Sequence, residues 1–376
     1  MEMNNSLSFT DEQAMILDSA RDFCRNRSPI SAVRELLDSQ TGFDADVWQE
    51  MVDLGWLGLA IPEEYGGAGL GVGSTVVIAE CMGRAMLSTP FFSSTLAAQA
   101  LVRAGTAAQK EAWLPRLAAG EIATTALLDS GDWGAASTTC NASRNGDRIT
   151  ITGEKWYVAD AGTADMVLVH CTLEGEPALV MVEAGQFDVA PHGLVDETKR
   201  AGKIRLDNVE VGIEALLDQG RTAAALRDVK LLGALLVAAE STGATAACLD
   251  TIVDYLKTRK QFGKLIGSYQ ALKHPTVDIL CGLDSARSLI YHAATVVTDS
   301  ELDQDAEVAC RMAKAQACDA LAFAGDRAVQ FHGGMGFTYE CDAQLYIRRA
   351  QWAQQEYGDA WHHRKILGSL LLARAS

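Results

Sequence analysis

Polar and apolar positions change their period twice along the chain. From Phe9 to about Gly120 the spacing is helical: Ile16, Leu17, Ala20, Phe23 and Cys24 recur at about 3.6 residues. Thr10 with Gln13, and again Thr106 with Gln109 ahead of Trp113 and Leu117, read as capping boxes: a hydroxyl N-cap and an amide three residues on. Residues 61–73, IPEEYGGAGLGVG, form a loop between these helices. From about Glu121 to Asp218 short alternating runs take over. Ile149, Ile151, Trp156 and Val158 surround Gly153, and residues 166–169, 178–182 and 203–209 are strand-like, with Ile204 and Leu206 alternating with Lys203, Arg205 and Asp207. Beyond Gly220 a single proline, Pro275, interrupts long Ala/Leu-rich stretches at 222–258, 268–299, 303–332 and the C-terminal tail. These predict four long helices in an antiparallel bundle.

The predicted fold class is therefore mainly α with a β domain: an N-terminal helical domain (1–120), a middle β domain (121–218) and a C-terminal helical bundle (219–376). At 376 residues and 48% hydrophobic composition the chain can bury sizeable cores. Thirty-two basic against 49 acidic residues give −17, which disfavours a nucleic-acid partner. Nine scattered cysteines without C-x-x-C, and a polar, acidic start unlike a signal or transit peptide, lead to an expectation of a reducing, cytoplasmic location. The longest apolar run, residues 231–239, is too short to span a bilayer, so no membrane insertion is expected.

Metal and nucleophile signals are weak: there is no H-E-x-x-H, G-x-S-x-G or P-loop, and His362-His363 cannot point both rings one way on a helix. No metal is expected. Gly69, Gly71 and Gly73 follow a loop rather than a strand, so a dinucleotide fingerprint fails its context. Two glycine bends carry more. Arg259-Lys260-Gln261-Phe262-Gly263, with Gln270 later, offers a guanidinium suited to pyrophosphate, a ring suited to stacking and an amide. Gln330-Phe331-His332-Gly333-Gly334-Met335-Gly336-Phe337 lets backbone approach a ligand closely. Taken singly, each also reads as a helix C-cap followed by a turn.

Together, R-x-x-F-G-x-x-I-x-x-[YF]-Q (259–270), Q-x-x-G-G-x-G-F (330–337), I-P-E-E-Y-G-G-x-G-L (61–70) and the Gly153-Glu154-Lys155-Trp156 turn resemble the acyl-CoA dehydrogenase family over nearly the whole chain. The resemblance implies N-terminal helices, a middle β-barrel-like domain and a C-terminal four-helix bundle. It also implies FAD as cofactor, an acyl-CoA thioester as substrate, and an electron-acceptor flavoprotein. In the family a carboxylate removes the α-proton while the β-hydride goes to the flavin. The family's bundle motifs reach across a dimer interface to hold the ADP half of a neighbour's FAD. The matching positions are Arg259, Phe262, Gln270, Gln330, Gly333 and Gly334.

Departures are as informative. Counting from Gln330, the usual catalytic glutamate falls at Tyr357; counting back from Arg259, the alternative base position on the first bundle helix falls at Gly233. A phenol is a poor base at neutral pH. The family's flavin-contacting threonines fall at Leu127 (followed by Leu128 and Asp129) and Ala159, removing two donors worth about 1 kcal/mol each. Groups serving a neighbour's cofactor survive, while those serving this chain's own flavin are altered. The implied reading is one chain of a heteromeric α2β2 dehydrogenase, with flavin ring and base on a homologous partner. The rival is a complete homo-oligomer, dimer or tetramer, with a displaced base; a non-catalytic structural partner is a third reading. An acyl-CoA oxidase or flavin monooxygenase fits less well.

Candidates for a displaced base are Glu240, Glu356 and Asp359. Glu240 lies two turns beyond Gly233 in an apolar stretch that would raise its pKa, or pairs with a neighbouring helix. Glu356, read as helical, projects about 100° from position 357; Asp359 reads equally as a helix cap. The Tyr357 backbone N–H keeps the family role of polarising the thioester carbonyl, since any residue but proline supplies one. Asp196-Glu197-Thr198-Lys199-Arg200 reads as a solvated turn or a CoA-phosphate contact, Arg348-Arg349 as a solvated helix face or subunit contact, and Trp133 as core packing or filler for absent flavin.

Overall fold

The computed structural model describes residues 11–134 and 138–375. Helices α1 (Asp11–Arg27), α2 (Ile30–Glu35), α3 (Ala45–Asp53), α4 (Thr75–Arg84), α5 (Phe91–Ala104) and α6 (Ala107–Ala118) come first. The cap expected at Thr10 lies outside the described residues. The second box is present: the Thr106 hydroxyl accepts from Gln109 N at 3.3 Å, and the Gln109 side chain accepts from Thr106 N at 2.9 Å. The Gln109 amide also donates to the Glu214 and Leu216 carbonyls, tying this helix start to the end of the sheet region.

Strands β1 (Ala123–Ala126), β2 (Asn141–Asn145), β3 (Arg148–Ala159), β4 (Met166–Leu173), β5 (Glu176–Glu183), β6 (Asp188–His192) and β7 (Ala201–Gly212) form a seven-stranded mixed sheet in the order β1-β4-β2-β3-β7-β6, with β5 on the free side of β4. β4 runs parallel to β1 and β2; the other pairs are antiparallel. In β7, Ile204 and Leu206 are buried, as their alternation requires.

The third region holds α7 (Gln219–Thr258), a hairpin of β8 (Lys260–Gln261) and β9 (Lys264–Leu265), α8 (Gln270–Val296), α9 (Gln304–His332), α10 (Ala343–Gln355) and α11 (Ala360–Ala375). The tail is thus two helices rather than one, broken at residues 356–359. α7 is the central strut. It is the helix among those described that is long and apolar enough to cross a membrane, yet 94% of that stretch is buried inside the protein. α4 crosses it closely because Gly83 and Gly243 lack side chains: a Cβ on either would meet the opposite helix's backbone oxygen at 1.9 Å. This crossing leaves the N-terminal helices, the sheet and the middle of α7 facing one shared space.

Candidate active site

That space is a cavity of about 380 Å³. Its walls come from α5 (Phe92, Ser93), β1 and the loop after it (Thr124, Leu127, Leu128, Trp133), the end of β3 (Tyr157, Ala159, Asp160), Lys199, Val237 of α7, and the α10 end with its turn (Trp352, Glu356, Tyr357). The two positions inferred by counting in opposite directions, 233 and 357, meet here. A Cβ on Gly233 would lie 2.4 Å from the Tyr357 ring. The same ring packs on Trp133, centroids 4.5 Å apart. Leu127 and Ala159 also line the cavity and bring no side-chain donor to it.

The chain is not helical at Tyr357. α10 stops at Gln355, Glu356 is extended (φ −70°, ψ 127°), and Tyr357 takes the left-handed region at φ 56°. An aromatic residue there is uncommon and is held by its surroundings. The buried Lys314 ammonium donates to the carbonyls of Ala353 at 2.8 Å and Gly358 at 2.7 Å. His363 Nε2 lies 3.0 Å from the Tyr357 carbonyl, and burial holds that imidazole down at about 3, so it is neutral and donates. Asp359 caps α11 through His362 N at 2.6 Å. The Tyr357 N–H donates to none of the described residues.

This geometry redirects Glu356, which was expected to project away from position 357 on a continuous helix. Its carboxylate faces the cavity and makes no hydrogen bond or ion pair with the described residues. Burial raises its carboxyl to about 7, against the opposing pull of the Lys314 and Lys199 ammoniums. Burial likewise raises the phenol of Tyr357 well above its ordinary value, so it is neutral. Asp160 is also raised by burial, although Ser93 donates to it at 2.6 Å.

Glu240 sits elsewhere. It is buried and accepts from Lys199 Nζ at 2.6 Å and Arg349 Nη1 at 2.8 Å, outside the cavity lining. Of the two readings of Glu240, the pairing with a neighbouring helix is the one present: Arg349 lies on α10, and the carboxylate is part of an ionic cluster rather than a free base. Arg349 also pairs with Asp196 and donates to the Thr198 hydroxyl at 2.6 Å. It is fully buried, not on a solvated helix face. Asp196 and Thr198 are buried too, Glu197 pairs with Arg348 at 3.0 Å, and Arg200 caps the end of α2 through the carbonyls of Leu36, Leu37 and Ser39. The 196–200 run is therefore a latch between sheet and helices rather than a solvated turn.

The six bend residues are absent from the cavity wall. The ends of α7 and α9 converge instead, with Tyr255 stacked on His332 at 4.1 Å. Phe262 is left-handed (φ 53°) and 91% exposed. Gly333 has φ 63°, and a Cβ there or on Gly334 would meet nothing within 4 Å. Together with the exposed Arg259 guanidinium, these offer open backbone, a free ring and a cation, a donor set that suits a nucleotide diphosphate. Sequence reasoning missed Lys199, Asp160 and Trp352 as cavity residues; their only signal was polarity or size next to unremarkable neighbours.

Comparison with known proteins fits this arrangement. Residues 10–121 match the model for "Acyl-CoA dehydrogenase, N-terminal domain" and residues 212–371 that for "Acyl-CoA dehydrogenase, C-terminal domain". The chain is 30% identical over 352 residues to acyl-CoA dehydrogenase IpdE2 of Mycolicibacterium smegmatis, covering 93% of this chain and 95% of that protein. A variant of the Tcur3481-Tcur3483 steroid ACAD superposes with a TM-score of 0.85 at 27% identity, covering 97% and 99% of the two chains. Butyryl-CoA dehydrogenase from Megasphaera elsdenii has the same fold, with a TM-score of 0.88 at 24% identity and coverage of 98% and 100%. The chain belongs to the acyl-CoA dehydrogenase family, whose members are FAD-dependent oxidoreductases acting on acyl-CoA.

Proposed function

We propose that the chain is one subunit of a cytoplasmic dehydrogenase that introduces a Cα–Cβ double bond into an acyl-CoA. Its C-terminal bends hold the ADP arm of a neighbouring subunit's FAD. Arg259 would bind the pyrophosphate, Phe262 the adenine face, and Gln270, Gln330, Gly333 and Gly334 the remaining polar edge. FAD, when bound, accepts the β-hydride and passes the electrons to an acceptor flavoprotein.

One observation carries the reading. Val237 lines the cavity and Arg259 ends the same helix, roughly 22 residues or about 33 Å further along its axis. That span supports a reading in which the bends of this chain serve a cofactor whose reacting end lies in another chain. A homologous partner is favoured over a second copy by Tyr357, Gly233, Leu127 and Ala159, each of which removes a group that a complete site uses. The Tcur3481-Tcur3483 relative, named for two components, agrees with that choice.

The test is flavin content. The chain alone is expected to purify colourless and to gain stoichiometric FAD on co-expression with a homologous chain from a neighbouring gene. Arg259→Ala with Phe262→Ala should then lower FAD occupancy without loss of fold. Full occupancy in the double variant would refute the assignment. One observation favours a second reading, in which this chain's own cavity is also reactive: the unpaired Glu356 carboxylate.

A further inference from the structure

We propose that Glu356 is the group in this chain that takes the α-proton of an acyl-CoA thioester bound in the cavity. The inference rests on the family reading above and adds a role for a residue one position before the one where the family's base belongs.

Three features of the turn converge on it. First, the extended Glu356 and left-handed Tyr357 rotate the chain out of the helix, so the position that helical geometry would turn away lines the cavity beside Tyr357. The phenol occupies the place beside Gly233 and leaves the carboxylate as its charged neighbour. Second, the turn is anchored from behind by Lys314 to the carbonyls on either side, Ala353 and Gly358, which fixes the side-chain direction without consuming the carboxylate. Third, the next backbone N–H, that of Tyr357, has no acceptor among the described residues and points from the same turn. A proton acceptor and an oxyanion donor on adjacent residues are what enolisation of a thioester requires.

In the step, the Cα–H bond breaks and its proton forms an O–H bond on Glu356. The electron pair passes into the thioester as an enolate, whose oxygen accepts from the Tyr357 N–H. FAD, if bound beside the substrate, would be the two-electron oxidant that receives the β-hydride, and the enolate pair would then close the Cα–Cβ double bond as the thioester carbonyl re-forms. Other carboxylates are less suited. Glu240 is neutralised by Arg349 and Lys199, and Asp160 is engaged by Ser93. The charged groups acting on Glu356 are Lys314 from α9 and Lys199 from the segment between β6 and β7; Tyr357 adjoins it, and Asp160 at the end of β3 lies on the same cavity wall.

The experiment uses the FAD-loaded protein; where the homologous chain is needed for loading, that chain carries its own base replaced by glutamine, so that exchange reports the cavity of this chain. The probe is 3-thiaoctanoyl-CoA, in which sulfur replaces the β-carbon so that no hydride can leave. α-Deuterium uptake from D2O is followed by mass spectrometry, and binding by calorimetry. Glu356→Gln is expected to slow exchange by at least about 100-fold, with the Kd changed less than about threefold, while Glu356→Asp retains part of the rate. The wild-type rate should rise with pH through about 7. Exchange in Glu356→Gln equal to wild type, or none above the free thioester in wild type that binds the probe, overturns the inference and leaves the family reading intact. Failure of the assembly to bind either FAD or the thioester removes that reading, and this inference with it.

Discussion

Replacing Arg349 with leucine tests whether the cluster behind the cavity is structural. The guanidinium is completely buried on α10 and reaches three segments: Asp196 and Thr198 of the latch, Glu240 of α7 at 2.8 Å, and Ser88 at 3.4 Å. Without it, two buried carboxylates share one cation, Lys199. Removing one member of a buried ion pair costs about 3–5 kcal/mol, because the charge left behind is uncompensated. At roughly 2–4 °C per kcal/mol for a unit of this size, the apparent Tm at pH about 7.5 should fall by ~6–20 °C. The pH dependence has a definite sign. Burial alone would raise the Asp196 carboxyl, but Arg349, Lys199 and the Thr198 hydroxyl outweigh it and hold it below its usual range. In wild type its contribution is therefore present above the unfolded pKa of about 3.9 and is lost as pH falls through the lower folded value. In the variant the same buried carboxylate is raised instead, so the deficit should shrink between pH about 7.5 and about 5. Adding Glu240→Gln should recover part of the loss. A deficit below about 1 kcal/mol, or one that grows on acidification, would refute the reasoning.

Three smaller predictions follow from the same contacts. Gly233→Ala places a Cβ 2.4 Å from the Tyr357 ring, an overpacking cost of about 1–3 kcal/mol that exceeds the ~1 kcal/mol gained in helix propensity. In a Tyr357→Ala background only the propensity term remains, so denaturant melts should show the same substitution becoming stabilising. The folded pKa of Glu356 is raised to about 7, so its contribution is fully present below the unfolded value and lost as pH rises through about 7. Glu356→Gln should therefore be more stable than wild type at alkaline pH, with the gap in Tm closing by pH about 5. Thr106→Ala removes the α6 N-cap and should cost about 1 kcal/mol in chemical unfolding.

How far the fold was legible depended on whether its signal was local. The box at Thr106 and the alternation around Ile204 needed only a few neighbouring residues, and both are present as read. β2, Asn-Ala-Ser-Arg-Asn, is almost wholly polar and is a strand only because β3 and β4 pair with it. β6 carries Pro191 and lies on the sheet edge, where a missing N–H is tolerated. Neither has an alternation to find.

The same division explains the site. The bends were readable because arginine, phenylalanine and glycines are contiguous there. Glu240 stayed open between a base and a paired carboxylate because its partners, Lys199 and Arg349, are 41 and 109 residues away. Glu356 looked misdirected because no proline marks the end of α10, and a helical period carried through it rotates the carboxylate away. Only Gly358, itself left-handed at φ 94°, hinted at a break. The chemistry of this chain thus turns on a single backbone event. On the proposed assignment, a tyrosine in a conformation that aromatic residues rarely adopt packs its ring against Gly233 and puts the acid one position earlier on the same cavity wall. The buried Lys314 holds this costly turn by donating to the carbonyls of Ala353 and Gly358 on either side of it.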